Sequence, residues 1–128
     1  TGGMLIEASL MGLEVQGSDI DPEMINSAKK NFKEYKIKGE LKVADARKER
    51  INCDAIVTDP PYGRRASLKK VKIQELYETF LDHVYDFVDT VVIMMPNNIK
   101  INTKYKIYFT TEEYVHATLT RKILVLKK

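Results

Sequence analysis

The sequence predicts an α/β protein built on a mostly parallel sheet, with an antiparallel pair of strands at its C-terminal edge. Stretches with helical spacing of apolar residues alternate with short apolar runs over most of the chain, the pattern of successive βα units. Beyond Pro96 the period changes to an alternation of apolar and polar residues over 104–110 and 119–126, as in half-exposed antiparallel strands. The apolar runs before Pro96 also lead into aspartates, Asp19, Asp45 and Asp59, and open α/β sheets hold their ligands at the carboxyl ends of strands.

Each element follows from its residues. Residues 2–13 read as a short helix with Met4, Leu5, Ala8 and Met11 on one face, and 14–20 as a strand. Asp21 is a suitable N-cap and Pro22 suits the first turn of a helix carrying Ile25, Ala28, Phe32 and Tyr35 on one side, with Gly39 ending it. Strands are expected over 41–46 and 54–59, the second of them buried. Ile73, Leu76, Tyr77, Phe80, Val84, Phe87 and Val88 form a helical stripe about four turns long. Residues 90–95 form a continuous apolar strand closed by Pro96, with Met94 and Met95 as packing residues. The last two strands are joined by a loop through 112–116. No internal repeat, low-complexity tract or linker is present in the sequence.

With 128 residues the chain makes at most one compact domain, and 44% hydrophobic against 30% charged residues is the balance of an ordered globular protein. No apolar run approaches the roughly 20 residues of a membrane span and no leader pattern opens the chain, so a cytoplasmic protein without membrane partners is expected. Cys53 has no partner for an internal disulfide and is expected in the core. The absence of a Cys/His cluster argues against a zinc site, and that of a Ser/His/Asp arrangement against hydrolytic chemistry. His116 on the hairpin is expected to be structural, with a general base as its other reading, and His83 is expected to face solvent. The net charge of +3 is too small by itself to indicate nucleic acid. Its distribution says more. Arg64, Arg65, Lys69, Lys70 and Lys72 form a run without an acid, read either as a phosphate contact or as a solvated loop.

That run follows the most informative segment, Asp59-Pro60-Pro61-Tyr62-Gly63, which comes straight off the apolar Ala55-Ile56-Val57-Thr58. A carboxylate, a rigid backbone carbonyl and an aromatic face at a strand end suit one task. The Asp59 oxygens and the Pro60 carbonyl can accept both N–H bonds of a planar amine while the Tyr62 ring stacks on its flat face. Two prolines alone would merely end a strand, but that leaves Asp59 and Tyr62 unexplained.

The segments Thr1-Gly2-Gly3-Met4-Leu5-Ile6-Glu7-Ala8, Gly17-Ser18-Asp19-Ile20-Asp21, Ala44-Asp45-Ala46, Thr58-Asp59-Pro60-Pro61-Tyr62-Gly63 and Tyr114-Val115-His116-Ala117-Thr118-Leu119-Thr120-Arg121 cover nearly the whole chain in order and spacing. Through them the chain resembles the class I S-adenosylmethionine-dependent methyltransferases, and within these the tRNA guanine-N2-methyltransferases that modify position 10 of tRNA and carry an N-terminal THUMP domain. The resemblance implies a Rossmann-like methyltransferase sheet of seven strands, S-adenosyl-L-methionine as cofactor and tRNA as partner. It also implies a central first strand and an Asp-Pro-Phe-Cys-Gly stretch ahead of Thr1. Both are missing from the sequence, so the first strand and a THUMP domain are expected from a companion polypeptide or a missing N-terminal region, residues 1–128 being an N-terminally incomplete catalytic domain.

In that framework Gly2 and Gly3, at a helix start, are expected at the methionine carboxylate of the cofactor, the other reading being plain flexibility. Asp19 is expected to accept from the ribose hydroxyls, with Ile20 over the adenine and Asp21 left as the helix cap; a cap role for Asp19 itself is the alternative. Asp45 is expected at the adenine amino group with the Ala46 N–H near the ring, or else as a turn aspartate. Asp59, Pro60 and Tyr62 are the expected catalytic residues; Pro61, Gly63, Arg64, Arg65, Lys69 and Lys70 the expected substrate contacts. The expected reaction is N2-methylation of a tRNA guanosine. The alternatives are methylation of DNA adenine N6 or protein glutamine, which offer equally planar amines, and a non-catalytic fragment or subunit that needs a partner chain supplying the first strand.

Overall fold

A computed structural model describes residues 1–63 and 70–128, with backbone alone at 70 and 71. The chain divides into two compact units, Thr1–Glu49 and Arg50–Lys128.

The first unit contains α1 (Gly3–Leu10), β1 (Val15–Asp19), α2 (Pro22–Glu34) and β2 (Gly39–Val43), with β1 and β2 parallel from Val15 opposite Gly39 to Asp19 opposite Val43. Asp21 caps α2, its carboxylate accepting the Glu23 N–H at 2.9 Å, and Pro22 occupies the first turn, where its missing N–H costs nothing. Ile25, Ala28 and Phe32 are buried as expected. Tyr35 is not. It forms the C-cap, off the helical stripe, and is 58% exposed. Gly39 does not end this helix. Lys36 does, turning the chain with φ 55° so that the Ile37 N–H reaches the Phe32 carbonyl at 2.8 Å, a common helix-terminating bond pattern. Gly39 instead opens β2, where a Cβ would lie 2.6 Å from the Val15 carbonyl oxygen, so the strand pair needs a glycine there. Helix α1 stops at Leu10, three residues short of the expected end. Met11, beyond it, is exposed, and Ile6 is the buried residue of α1.

The second unit contains β3 (Ala55–Thr58), α3 (Lys70–Tyr85), β4 (Thr90–Pro96), β5 (Lys106–His116) and β6 (Leu119–Lys127). The sheet order is β3-β4-β6-β5, with β3 parallel to β4 and β6 antiparallel to both its neighbours, which is the antiparallel edge pair expected at the C-terminus. Register places Ile56, Val91 and Leu126 in one row and Thr58, Ile93 and Leu124 in the next. The apolar members of these rows pack with Ile73, Tyr77, Phe80, Leu81 and Val84 of α3 in one core, against which Cys53 is half-buried. Tyr105 closes one end of this core, donating its hydroxyl to the Val88 carbonyl at 2.6 Å.

Several expectations change here. Residues 112–116 are strand, not loop: β5 runs eleven residues with register shifts at Ile107/Phe109 and Tyr114/His116, and only Ala117 and Thr118 join it to β6. Leu81, absent from the expected stripe, is fully buried, while Phe87 and Val88 lie past the end of α3. β3 is not buried on both faces. Among the described residues it pairs along one edge only, with β4, and Val57, on the face away from the core, is 52% exposed. His83 meets Phe87 edge-on at 5.4 Å, so solvent is not its only neighbour. No helix among the described residues is long and apolar enough to cross a membrane.

The core rows set one stability expectation. Leu126→Ala removes a fully buried side chain and is expected to cost about 2–5 kcal/mol. Ile107→Ala, directly opposite on β5 but 60% exposed, is expected to cost under about 1 kcal/mol. Urea denaturation of the two variants checks the contrast.

Candidate active site

Beyond β3 the chain enters Asp59-Pro60-Pro61-Tyr62, whose prolines lack the N–H needed to continue a ladder. The turn is tied down from inside the unit. The Tyr77 hydroxyl, on α3 and fully buried, donates to the Pro61 carbonyl at 2.8 Å. Burial pushes its pKa well above the ordinary tyrosine value, and the charges of Tyr62 and Asp59 push in the same direction, so it stays a donor throughout the physiological range. Gly63 follows in the left-handed region at φ 78°.

Both oxygens of Asp59 have a neighbour, one of them hydrogen-bonded. The Tyr62 hydroxyl donates to Oδ1, and Arg121 Nη1 lies 3.6 Å from Oδ2. Arg121 is oriented in turn by Glu113, which accepts from its Nε at 2.6 Å. Burial raises the Tyr62 pKa first, and its bond to Asp59 raises it further, while Arg121 opposes both. The bond to Glu113, then that to Tyr62, raises the pKa of Arg121, which is permanently cationic. A carboxylate offers about four lone-pair sites, so Asp59 can accept further N–H bonds beside these partners.

The structure thus brings together Asp59, Pro60, Pro61, Tyr62 and Gly63. The Tyr62 hydroxyl binds the neighbouring carboxylate, which fixes the orientation of its ring. Arg64, Arg65 and Lys69 lie outside the described residues, as does the side chain of Lys70, whose backbone opens α3. Tyr77, Glu113 and Arg121 were not assigned to the site from sequence. Glu113 and Arg121 are cross-strand partners only because of the register shift at Tyr114/His116; a regular hairpin turning at Ala117-Thr118 would have set Glu113 opposite Lys122. His116 accepts at Nδ1 from the Thr118 N–H at 3.3 Å, in keeping with its structural reading.

The first unit holds the residues expected at the cofactor. Gly2 has φ 81° and precedes α1, and a Cβ on it would lie 3.2 Å from Ala28 Cβ and 3.3 Å from Phe32 Cε1, so a side chain would be strained and crowded there. Gly3 has open space beside it, and no side chain caps the helix start that the two residues form. Asp19 ends β1 exposed, with Oδ1 accepting the Asp21 N–H at 2.9 Å, and Ile20 beside it is 66% exposed. Asp45 is engaged by Arg47, which donates its backbone N–H at 3.0 Å, Nε at 2.9 Å and Nη2 at 2.7 Å. The side-chain bond from Arg47 is the largest cause of its carboxyl pKa falling to about 2. Ala46 follows it, exposed. A glycine-lined helix start suits a carboxylate, and an exposed strand-end aspartate suits hydroxyl donors; these residues fit an amino-acid-and-ribose ligand. Among the described residues no three His, Cys, Asp or Glu side chains cluster as metal ligands.

Comparison with known proteins identifies the family. Residues 1–122 match the family described as RMKL-like, methyltransferase domain. A protein of Methanothermobacter thermautotrophicus named tRNA (guanine(10)-N2)-dimethyltransferase is 37% identical over the whole chain, which spans 41% of that relative. A Methanothermococcus thermolithotrophicus protein named probable tRNA (guanine(10)-N2)-dimethyltransferase is 35% identical, and the chain spans 83% of it. TrmN from Thermus thermophilus has a crystal structure similar at a TM-score of 0.81, covering 98% of this chain and 40% of that one at 17% identity, a likeness of fold. From the extent of the match and the identity to these relatives, the chain belongs to the RMKL-like methyltransferase-domain family.

Proposed function

We propose that residues 1–128 are the catalytic domain of an S-adenosylmethionine-dependent RNA methyltransferase that methylates N2 of a guanosine in tRNA. The observation that carries this reading is the tethered Asp59-Pro60-Pro61-Tyr62 turn, and two similar proteins bear names for the same reaction. Gly2, Gly3, Asp19 and Ile20 would hold the cofactor, and Asp45 with Ala46 would meet its adenine. When bound, S-adenosylmethionine supplies a methyl group already activated on sulfonium.

The protein's part is then positioning. An exocyclic amine on a purine is a weak nucleophile because its lone pair is delocalised into the ring. Asp59 and the Pro60 carbonyl accept its two N–H bonds, drawing the nitrogen toward tetrahedral geometry and aiming the lone pair outward. Tyr62, held by its own bond to Asp59, walls the base on one side. The basic run from Arg64 to Lys72 meets the RNA phosphates. A cytoplasmic location follows from a tRNA substrate.

A second reading has one feature in its favour: among the described residues β1 and β3 each pair along one edge only. Here the chain acts as a subunit whose open edges are completed by a strand from another polypeptide or from another part of a longer protein, with a THUMP domain gripping the tRNA. Calorimetry with S-adenosylmethionine on residues 1–128 separates the readings: micromolar binding favours a self-sufficient cofactor site, and no binding favours the second.

Nucleoside analysis by mass spectrometry of tRNA and DNA incubated with protein and cofactor tests the reaction. N2-methylated guanosine in tRNA is expected, and methyladenine in DNA without methylguanosine in RNA would overturn the assignment. Asp59→Ala is expected to lower kcat by on the order of a hundredfold, measured by methyl transfer to tRNA under saturating substrates. Asp19→Ala, which removes the acceptor for the ribose hydroxyls, is expected to weaken S-adenosylmethionine binding by about tenfold or more in calorimetry.

A further inference from the structure

Arg121 and Glu113 are far in sequence from the Asp59 turn and are not needed to hold an amine, yet they are built into its edge. Both lie on the hairpin that flanks β4: Glu113 on β5 and Arg121 on β6 face each other across the strand pair. The Glu113 carboxylate fixes the guanidinium through Nε at 2.6 Å, while Nη1 points to the Asp59 carboxylate at 3.6 Å. That separation exceeds a hydrogen bond, so the two groups are neighbours without being locked to each other. An acceptor pair and a donor stand side by side at the place where the target base must present its amine.

This pattern complements one base edge. Along its Watson–Crick edge guanine offers the N2 amine as donor, then the N1–H as donor, then O6 as acceptor. Asp59 can supply acceptors for the two donors, and the Arg121 guanidinium, 3.6 Å from Oδ2, is a donor beside them. Adenine with its amine at Asp59 would offer the unprotonated N1 as the adjacent group and has no oxygen for the guanidinium. An arginine 27% exposed at its side chain and already oriented by Glu113 gains one further charge-assisted bond when the base carries O6 and none when it does not, which is how a polar site favours the base that has the matching group.

We infer that Arg121, oriented by Glu113, is a specificity-determining residue that donates to O6 of the target guanine and discriminates it from purines lacking that oxygen. The inference rests on the methyl-transfer reading of the Asp59 turn and deepens it by assigning the base to a side chain on the hairpin. It also gives Glu113 a role, since its carboxylate is what orients the guanidinium.

The test compares two substrates in wild-type and variant proteins: tRNA transcripts carrying at the mapped methylation site either guanosine or 2-aminopurine riboside, which keeps the 2-amine but lacks O6 and the N1–H, the latter loss being common to wild type and variant and so cancelling in the comparison. The ratio of kcat/KM for guanosine to that for 2-aminopurine is expected to fall about ten- to hundredfold in Arg121→Ala, because the variant loses rate on guanosine while 2-aminopurine has no O6 contact to lose. Arg121→Lys, which retains a cationic donor, is expected to give an intermediate ratio, and carries the same comparison should the alanine variant fail to fold. Equal loss on both substrates, or an unchanged ratio, would overturn the role of Arg121 while leaving methyl transfer intact. A wild-type protein that methylates neither RNA base would instead remove the functional reading on which the inference stands, and the inference with it.

Discussion

Most of what this chain can do at Asp59 depends on one buried hydroxyl. Tyr77 lies in the centre of the second unit, against the sheet rows of Val91, Ile93, Leu124 and Leu126, and its oxygen must find a partner inside the protein. Leaving such a group unsatisfied would cost about 1–3 kcal/mol. The Pro61 carbonyl is the partner, so the turn after β3 is positioned by the same packing that holds α3 against the sheet. A flexible loop would have to spend binding energy on ordering Asp59 and Pro60 with each substrate. This one is ordered by core formation.

Asp19 and Asp59 at strand ends, and Asp45 in the turn beyond β2, which stops at Val43 rather than reaching residue 46, show how identical side chains acquire different surroundings from their partners. Asp19 is exposed and holds only a short backbone bond to Asp21, which leaves it open to hydroxyl donors. Asp45 is gripped by the Arg47 guanidinium through two bonds and is kept ionised to low pH. Asp59 sits between a neutral donor, Tyr62, and a cation, Arg121, at a distance that leaves acceptor capacity unused. In the proposed reaction, chemistry at the last of these would need little proton transfer, because the electrophile would come activated with the cofactor. Geometry carries the burden, and it comes from α3 on one side and the β5–β6 hairpin on the other.

Local rules read well where the deciding contacts are local. Asp21-Pro22 marked the start of α2, and Ile25, Ala28 and Phe32 marked its buried face, because capping and helical periodicity act within a few residues. They failed where distant chain decided. Gly39 looked like a helix stop, but its value lies in the close approach of the Val15 backbone, which no window around residue 39 contains. Residues 112–116 looked like a loop because Glu112 and Glu113 interrupt the alternation; pairing with Lys122 and Arg121 makes them strand. Val57 looked buried because the apolar run was continuous, whereas burial depends on which faces of β3 have neighbours.

The sequence by itself determined the α/β class, the antiparallel C-terminal pair, the strand-end placement of Asp19 and Asp59, and the kind of chemistry that Asp-Pro-Pro-Tyr suits. These follow from periodicity, proline's missing donor and residue types adjacent in the chain. The tertiary structure decided the partners: Tyr77 on Pro61, Tyr62 turned onto Asp59 rather than left free, and Arg121 with Glu113 brought to the edge of the site. Such contacts join residues up to 62 positions apart, from Asp59 to Arg121, and arise only when strand register and helix packing are set together by burial of a shared core.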